Sequence, residues 1–200
     1  VTRTGCIMGN PRIRTWILAA MMVCAQMMGS SAGAADPRFL KPSANFPAPS
    51  GASNLCRIYA WACAATRGKR LGAAREYELV RRVNQQVNAA TRDVADRRQY
   101  DIEEKWALPT RLGGDCEDFA LLKKRDLIRI GLDPRKLLLA TVLDSRRNAH
   151  AVLVYRSAQG DLVLDNLTNR IRPWRATGYI FLRMQDPRQP RNWVGVQNKV

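Results

Sequence analysis

Apolar residues along this chain change their period part-way through. An apolar stretch from Ser53 to Thr66, with Ser53 or Asn54 as a cap, predicts a helix. Between Ala73 and about Ala95, Tyr77, Val80, Val83, Val87 and Ala90 recur at helical spacing, and Asn84, Gln85 and Gln86 mark the wetter side. Trp106-Ala107-Leu108-Pro109 leads to a turn at Gly113-Gly114. Asp115 then opens a helix running from Cys116 to about Ile130, closed by Gly131 and followed by Pro134. Beyond this point the apolar runs shorten to strand length: Leu137 to Leu143, Ala149 to Tyr155, Asp161 to Asp165 and Tyr179 to Met184. Helices first, then antiparallel strands joined by tight turns, predict an α+β domain. No internal repeat interrupts the pattern.

The first 34 residues follow a different logic. Arg12 and Arg14 precede the apolar run Trp16 to Ala25, and Ala32-Gly33-Ala34 follows. Basic flank, short apolar core and A-x-A exit predict a cleavable signal peptide over residues 1–34 and a periplasmic destination. The run is short for a membrane span, which needs about 20 residues. Residues 35–52, rich in proline, predict an extended lead-in, and residues 53–200 one domain.

Composition adds a strong basic bias, with a formal net charge of +16 from 33 basic and 17 acidic residues, most of the cations being arginine. Such a surface suits nucleic acid, anionic lipid or acidic protein substrates. No zinc-finger spacing, RNA-binding signature or phosphate loop accompanies it, so no nucleic-acid partner is expected. Of the five cysteines, Cys6 and Cys24 fall in the leader. Cys56 and Cys63 lie two turns apart on the predicted helix, about 10 Å between Cα atoms and beyond disulfide reach. They are therefore expected to be small buried hydrophobes. Cys116 is left as a free thiol.

Cys116 stands where a glycine turn feeds a helix. Unpaired N–H groups and the positive end of the dipole there favour a thiolate and can hold an oxyanion. A buried structural cysteine fits the same place. His150, the single histidine of the chain, heads an apolar strand, where it could equally be a satisfied core residue. Register decides what it can reach. With Ala158-Gln159 as a two-residue turn, His150 and Asp165 share a face of the hairpin, diagonal by one step, within reach of an imidazole–carboxylate hydrogen bond. A nucleophile Cys116, a base His150 and an orienting Asp165 form the arrangement needed for thiol acyl transfer. The zinc spacings and the G-x-S-x-G elbow of other hydrolases are missing from the chain.

The segment Gly114-Asp115-Cys116-Glu117-Asp118-Phe119-Ala120, with Trp106 and Pro109 ahead and Lys123 behind, resembles the signature of bacterial transglutaminase-like cysteine proteinases. His150-Ala151-Val152-Leu153 and Leu164-Asp165-Asn166 resemble that family's histidine and aspartate blocks. The resemblance implies a papain-like, transglutaminase-like core, periplasmic location and Cys-His-Asp proteolysis of a protein substrate. Some members clip cell-surface adhesins under a membrane-receptor regulator, and some bind calcium at the acids that flank the cysteine, which here are Asp115 and Glu117. Carboxylates beside a thiol raise its pKa, a conflict a hard cation would relieve, although helix capping explains the same acids. The chain is expected to be monomeric. Transglutaminase chemistry, a cell-wall amidase and a non-catalytic basic periplasmic binding module remain the alternatives.

Overall fold

The computed structural model describes residues 36–197, so the leader over residues 1–34, with Cys6 and Cys24, lies outside the described residues. The described residues form one antiparallel sheet of seven strands: β1 Lys41–Asn45, β2 Leu137–Leu143, β3 Ala149–Ser157, β4 Gly160–Leu164, β5 Arg172–Pro173, β6 Ile180–Gln185 and β7 Trp193–Gln197. Their spatial order is β1-β7-β6-β2-β3-β4-β5. Among the described residues four α-helices, α1 Leu55–Ile58, α2 Ala73–Ala90, α3 Asp96–Tyr100 and α4 Cys116–Ile130, precede the bulk of the sheet in sequence. This is the α+β class the change of period predicts. Among the described residues no helix is long and apolar enough to cross a membrane.

Strand alternation divides the core in two. Leu137, Leu139, Ala151, Leu153 and Tyr155 pack with Leu79, Val80 and Val83 of α2 and with Phe119, Leu121 and Leu127 of α4. The intervening residues Leu138, Ala140, Val142, Val152 and Val154 point to the other face, against Leu40, Trp174, Phe181 and Met184. Both faces of β2 and β3 are thus dry, which is why they read as continuous apolar runs.

Two helices differ from expectation. The predicted helix from Ser53 to Thr66 is broken at Tyr59 (φ −123°, ψ 72°) into α1 and a 3₁₀ turn over Ala60–Cys63. That break brings the Cα atoms of Cys56 and Cys63 to 5.5 Å, and the two cysteines form a disulfide rather than separate buried hydrophobes. The Tyr59 hydroxyl, turned inward, accepts from the Leu108 backbone N–H at 3.2 Å. On α2 the buried face includes Glu76, Val80, Val83, Asn84 and Val87, while Tyr77 is exposed and the helix ends at Ala90. Glu76 tolerates burial because the Tyr155 hydroxyl (2.7 Å) and the Lys136 ammonium (2.8 Å) both donate to it.

Within the proline-rich lead-in, Lys41–Asn45 is extended and belongs to the sheet, whereas Ser50–Ala52 coils into a 3₁₀ turn. Strand β1 pairs with β7, and the Leu40 N–H donates to the buried Asp161 carboxylate at 2.8 Å.

Candidate active site

The nucleophile candidate owes its position to a turn that only glycine permits. Gly113 has φ +132°, and a Cβ there would lie 2.2 Å from the Arg92 carbonyl oxygen. Next to it, Gly114 donates to the Arg92 carbonyl (3.1 Å) and accepts from the Val94 N–H (3.0 Å). The segment after α2 is thereby folded back onto the start of α4. Asp115 is the N-cap, and Cys116 is the first residue of the helix.

Cys116 is the free cysteine of the described residues, and its Sγ accepts the Ala151 N–H at 3.3 Å. Ala151 is the neighbour of His150 on β3, so thiol and imidazole line one cleft of about 260 Å³. The hairpin that carries His150 has the predicted two-residue turn, with Ser157 opposite Gly160 and Leu153 opposite Leu164. His150 Nε2 lies 3.0 Å from Asp165 Oδ1. The expected diagonal reach is therefore realised.

Asp165 is buried but well supplied with donors. The Tyr179 hydroxyl donates to Oδ2 at 2.6 Å, and the Leu167 N–H donates to Oδ1 at 3.0 Å. Burial pushes this carboxyl up, but the hydrogen bonds from His150, Tyr179 and Leu167 outweigh it and leave the pKa below the ordinary value. An ionised Asp165 makes Nε2 the protonated nitrogen of a neutral imidazole, leaving Nδ1 with a lone pair. The Tyr179 ring meets the His150 ring edge-on, with centroids 5.8 Å apart, and fixes its plane. Asn88 on α2 holds the Asp165 main chain by donating to its carbonyl at 2.9 Å.

The acids around the thiol form a cluster that sequence spacing shows only in part. Carboxylate oxygens of Asp115 and Glu117, the two flanking acids, lie within 4.8 Å of each other and of Asp96. Asp96 reaches them because its own N–H donates to Asp115 Oδ2 at 3.1 Å, and its carboxylate accepts the Lys105 N–H. Burial, then the Asp115 charge, pushes Glu117 up to about 9. Burial, then the Glu117 charge, likewise pushes the Cys116 thiol up, against a smaller lowering from the Ala151 N–H. Asp118 stands apart from the cluster. It accepts the Ala107 N–H at 2.8 Å, and burial drives it to about 8.

The sequence pattern of the bacterial transglutaminase-like cysteine proteinases matches residues 43–200. The chain belongs to this family. No curated protein matches the chain. Solved structures of LapG from Legionella pneumophila are similar to it. The calcium-bound form is 24% identical, with a TM-score of 0.47, over 54% of this chain and 64% of that one. The EGTA-treated form is 23% identical, with a TM-score of 0.47, over 55% and 62%. The chain thus spans less than two thirds of the LapG chains. Within this member of the family, Asp96 and Tyr179 are the site residues that sequence reasoning missed. Neither carries a local motif: Asp96 sits 19 residues before Asp115, and Tyr179 stands just ahead of β6 with nothing around it to mark a role.

Proposed function

We propose that this protein is an exported cysteine peptidase in which Cys116 is the nucleophile, His150 the general base and Asp165 the residue that orients the imidazole. The observation that carries the reading is the His150 Nε2–Asp165 Oδ1 contact of 3.0 Å on the same cleft as the Cys116 thiol. With Nε2–H committed to Asp165, Nδ1 takes the thiol proton, and the Ala151 N–H stabilises the thiolate. The thiolate adds to a peptide carbonyl, and the resulting oxyanion meets the free N–H groups of the first turn of α4. Collapse expels the amine, which takes its proton from the imidazolium. Water, deprotonated by the same nitrogen, then attacks the thioester and returns the free thiol.

Asp96, Asp115 and Glu117 fit a calcium ion. One buried oxygen each of Asp96 and Asp115 has no hydrogen-bond partner, and all three are hard oxygen ligands. A bound cation would offset the carboxylate repulsion that raises the thiol pKa. The role of these residues is then to hold that charge next to Cys116, and the fold of the segment between α2 and α4, without entering the acyl transfer. A periplasmic location, a protein substrate such as a cell-surface adhesin, and control by a membrane receptor complete the reading, supported by the leader pattern and the family.

The test is cleavage of mixed peptide pools followed by mass spectrometry. Cys116→Ala and His150→Ala should each abolish cleavage while the circular dichroism spectrum shows the fold retained. Retained cleavage in either variant removes the assignment. Chelator should suppress activity and added calcium restore it; indifference to both removes the metal.

A further inference from the structure

The cleft has a polar wall that the acyl-transfer chemistry does not use. Thr141 of β2 and Arg183 of β6 are directly paired across the sheet, so their side chains lie on the same side. Both line the cleft that holds Cys116 and His150. Immediately beyond them the register shifts, with Val142 pairing to Phe181, so that Leu182 is left as the extra residue of a bulge. Bulges next to a site re-aim side chains, and Leu182, itself exposed, also faces the cleft.

Arg183 is anchored from behind. One Nη donates to the Pro47 carbonyl at 2.9 Å, and the guanidinium lies 4.7 Å over the Phe46 ring. These contacts hold the cation in place without neutralising it. Its Nε is buried with no hydrogen-bond partner, and so is Thr141 Oγ1. Buried polar atoms are almost always paired, so two orphans on paired residues that line the cleft of Cys116 point to a partner that arrives with the ligand. The carboxylates on the same cleft are Glu104, held by the Trp106 indole N–H at 2.8 Å, and Glu117 beside the thiol. An anionic group entering the cleft is therefore steered from those two acids toward the β2–β6 wall.

We propose that Thr141 and Arg183 form a specificity subsite that takes an acidic side chain, aspartate or glutamate, of a peptide substrate flanking the bond to be cut. The proposal deepens the peptidase reading and rests on it. The guanidinium supplies the charge and a fixed N–H donor, and the threonine hydroxyl supplies a second donor. A backbone carbonyl would satisfy the same two atoms without selecting for charge, which makes it the alternative to be separated.

The experiment uses fluorescein-labelled peptide pools that differ only in glutamate or glutamine at one fixed position, scanned along the peptide. Binding to the Cys116→Ala protein is read by fluorescence anisotropy, so that no turnover is needed. At one position the glutamate pool should bind about tenfold more tightly than its glutamine match, as a desolvated ion pair allows. The ratio should fall to about one in Arg183→Gln, invert in Arg183→Glu and shrink in Thr141→Val, where the hydroxyl is lost. Equal binding at every position, binding of neither pool, or a preference that survives Arg183→Gln overturns the subsite. Cleavage of the same pools by the unaltered protein reads the peptidase separately. Cleavage without acid preference sinks the subsite and spares the peptidase; acid-selective binding without cleavage does the reverse.

Discussion

Replacing Lys123 by methionine should stabilise the protein, and more so at neutral than at alkaline pH. Lys123 lies on α4, fully buried, and its Nζ has no hydrogen-bond partner. The Phe119 ring is 5.9 Å away, and the charge it feels is that of Asp165, which partly offsets burial. Burial dominates and brings the amine from its ordinary 10.5 down to about 7. Between those two values the unfolded chain binds a proton that the folded chain does not, so the contribution of Lys123 to stability rises with pH. Below pH 7 the penalty is complete, and it fades as pH climbs toward 10.5.

At about 1.4 kcal/mol per pKa unit, the penalty is about 4 kcal/mol at pH 7 and about 2 kcal/mol at pH 9. The absolute pH profile of the unaltered protein will not reveal this. Lys124, also held at about 7 by burial, acts in the same direction. Asp118 at about 8 and Glu117 at about 9, both raised, act in the opposite one, losing stability as pH rises toward those values. All three groups are common to both proteins, so the difference between Lys123→Met and the unaltered chain isolates Lys123. Urea unfolding at the two pH values should show the variant's advantage falling by about 2 kcal/mol from pH 7 to pH 9. An advantage independent of pH, or growing with it, would refute a depressed amine at this site.

Removing the Cys56–Cys63 bridge as Cys56→Ser/Cys63→Ser should cost about 2–3 kcal/mol in denaturant unfolding, the loop-closure entropy expected for a bridge spanning seven positions; an unchanged midpoint would show that the loop is equally ordered without it. Tyr179→Phe removes a donor to Asp165, so the acid limb of kcat/KM should move to higher pH, whereas a limb that stays put would detach the tyrosine from the triad. Calcium at one hundred times its Kd should raise the unfolding free energy by about 2.7 kcal/mol, read as a rise in Tm, and Asp96→Asn should erase most of that gain. A calcium shift that persists in Asp96→Asn would move the ion elsewhere.

What could be read in the sequence is what depends on neighbours along the chain. The pairing of His150 with Asp165 follows from a two-residue turn and the parity of a strand, both local properties. The start of α4 at Cys116 follows from a glycine turn and an N-cap, also local. The residues that escaped are those whose position is decided by distant partners. Glu76 displaces Tyr77 from the buried face of α2 because Tyr155 and Lys136, contributed from the strand region, satisfy it there. No periodicity of apolar residues can register such a substitution. Cys56 and Cys63 meet because Tyr59 leaves the helical region to reach the Leu108 N–H, 49 positions on. Asp96 joins Asp115 and Glu117 only after the segment behind α2 folds back onto Gly114. This last case bears on function. The two acids adjacent to the nucleophile come with its motif, but the third is delivered by a separate loop, so closing the cluster also closes that loop against the start of α4. Charge balance at the thiol and the fold of the neighbouring segment are therefore one equilibrium, and any cation that binds the cluster draws on both.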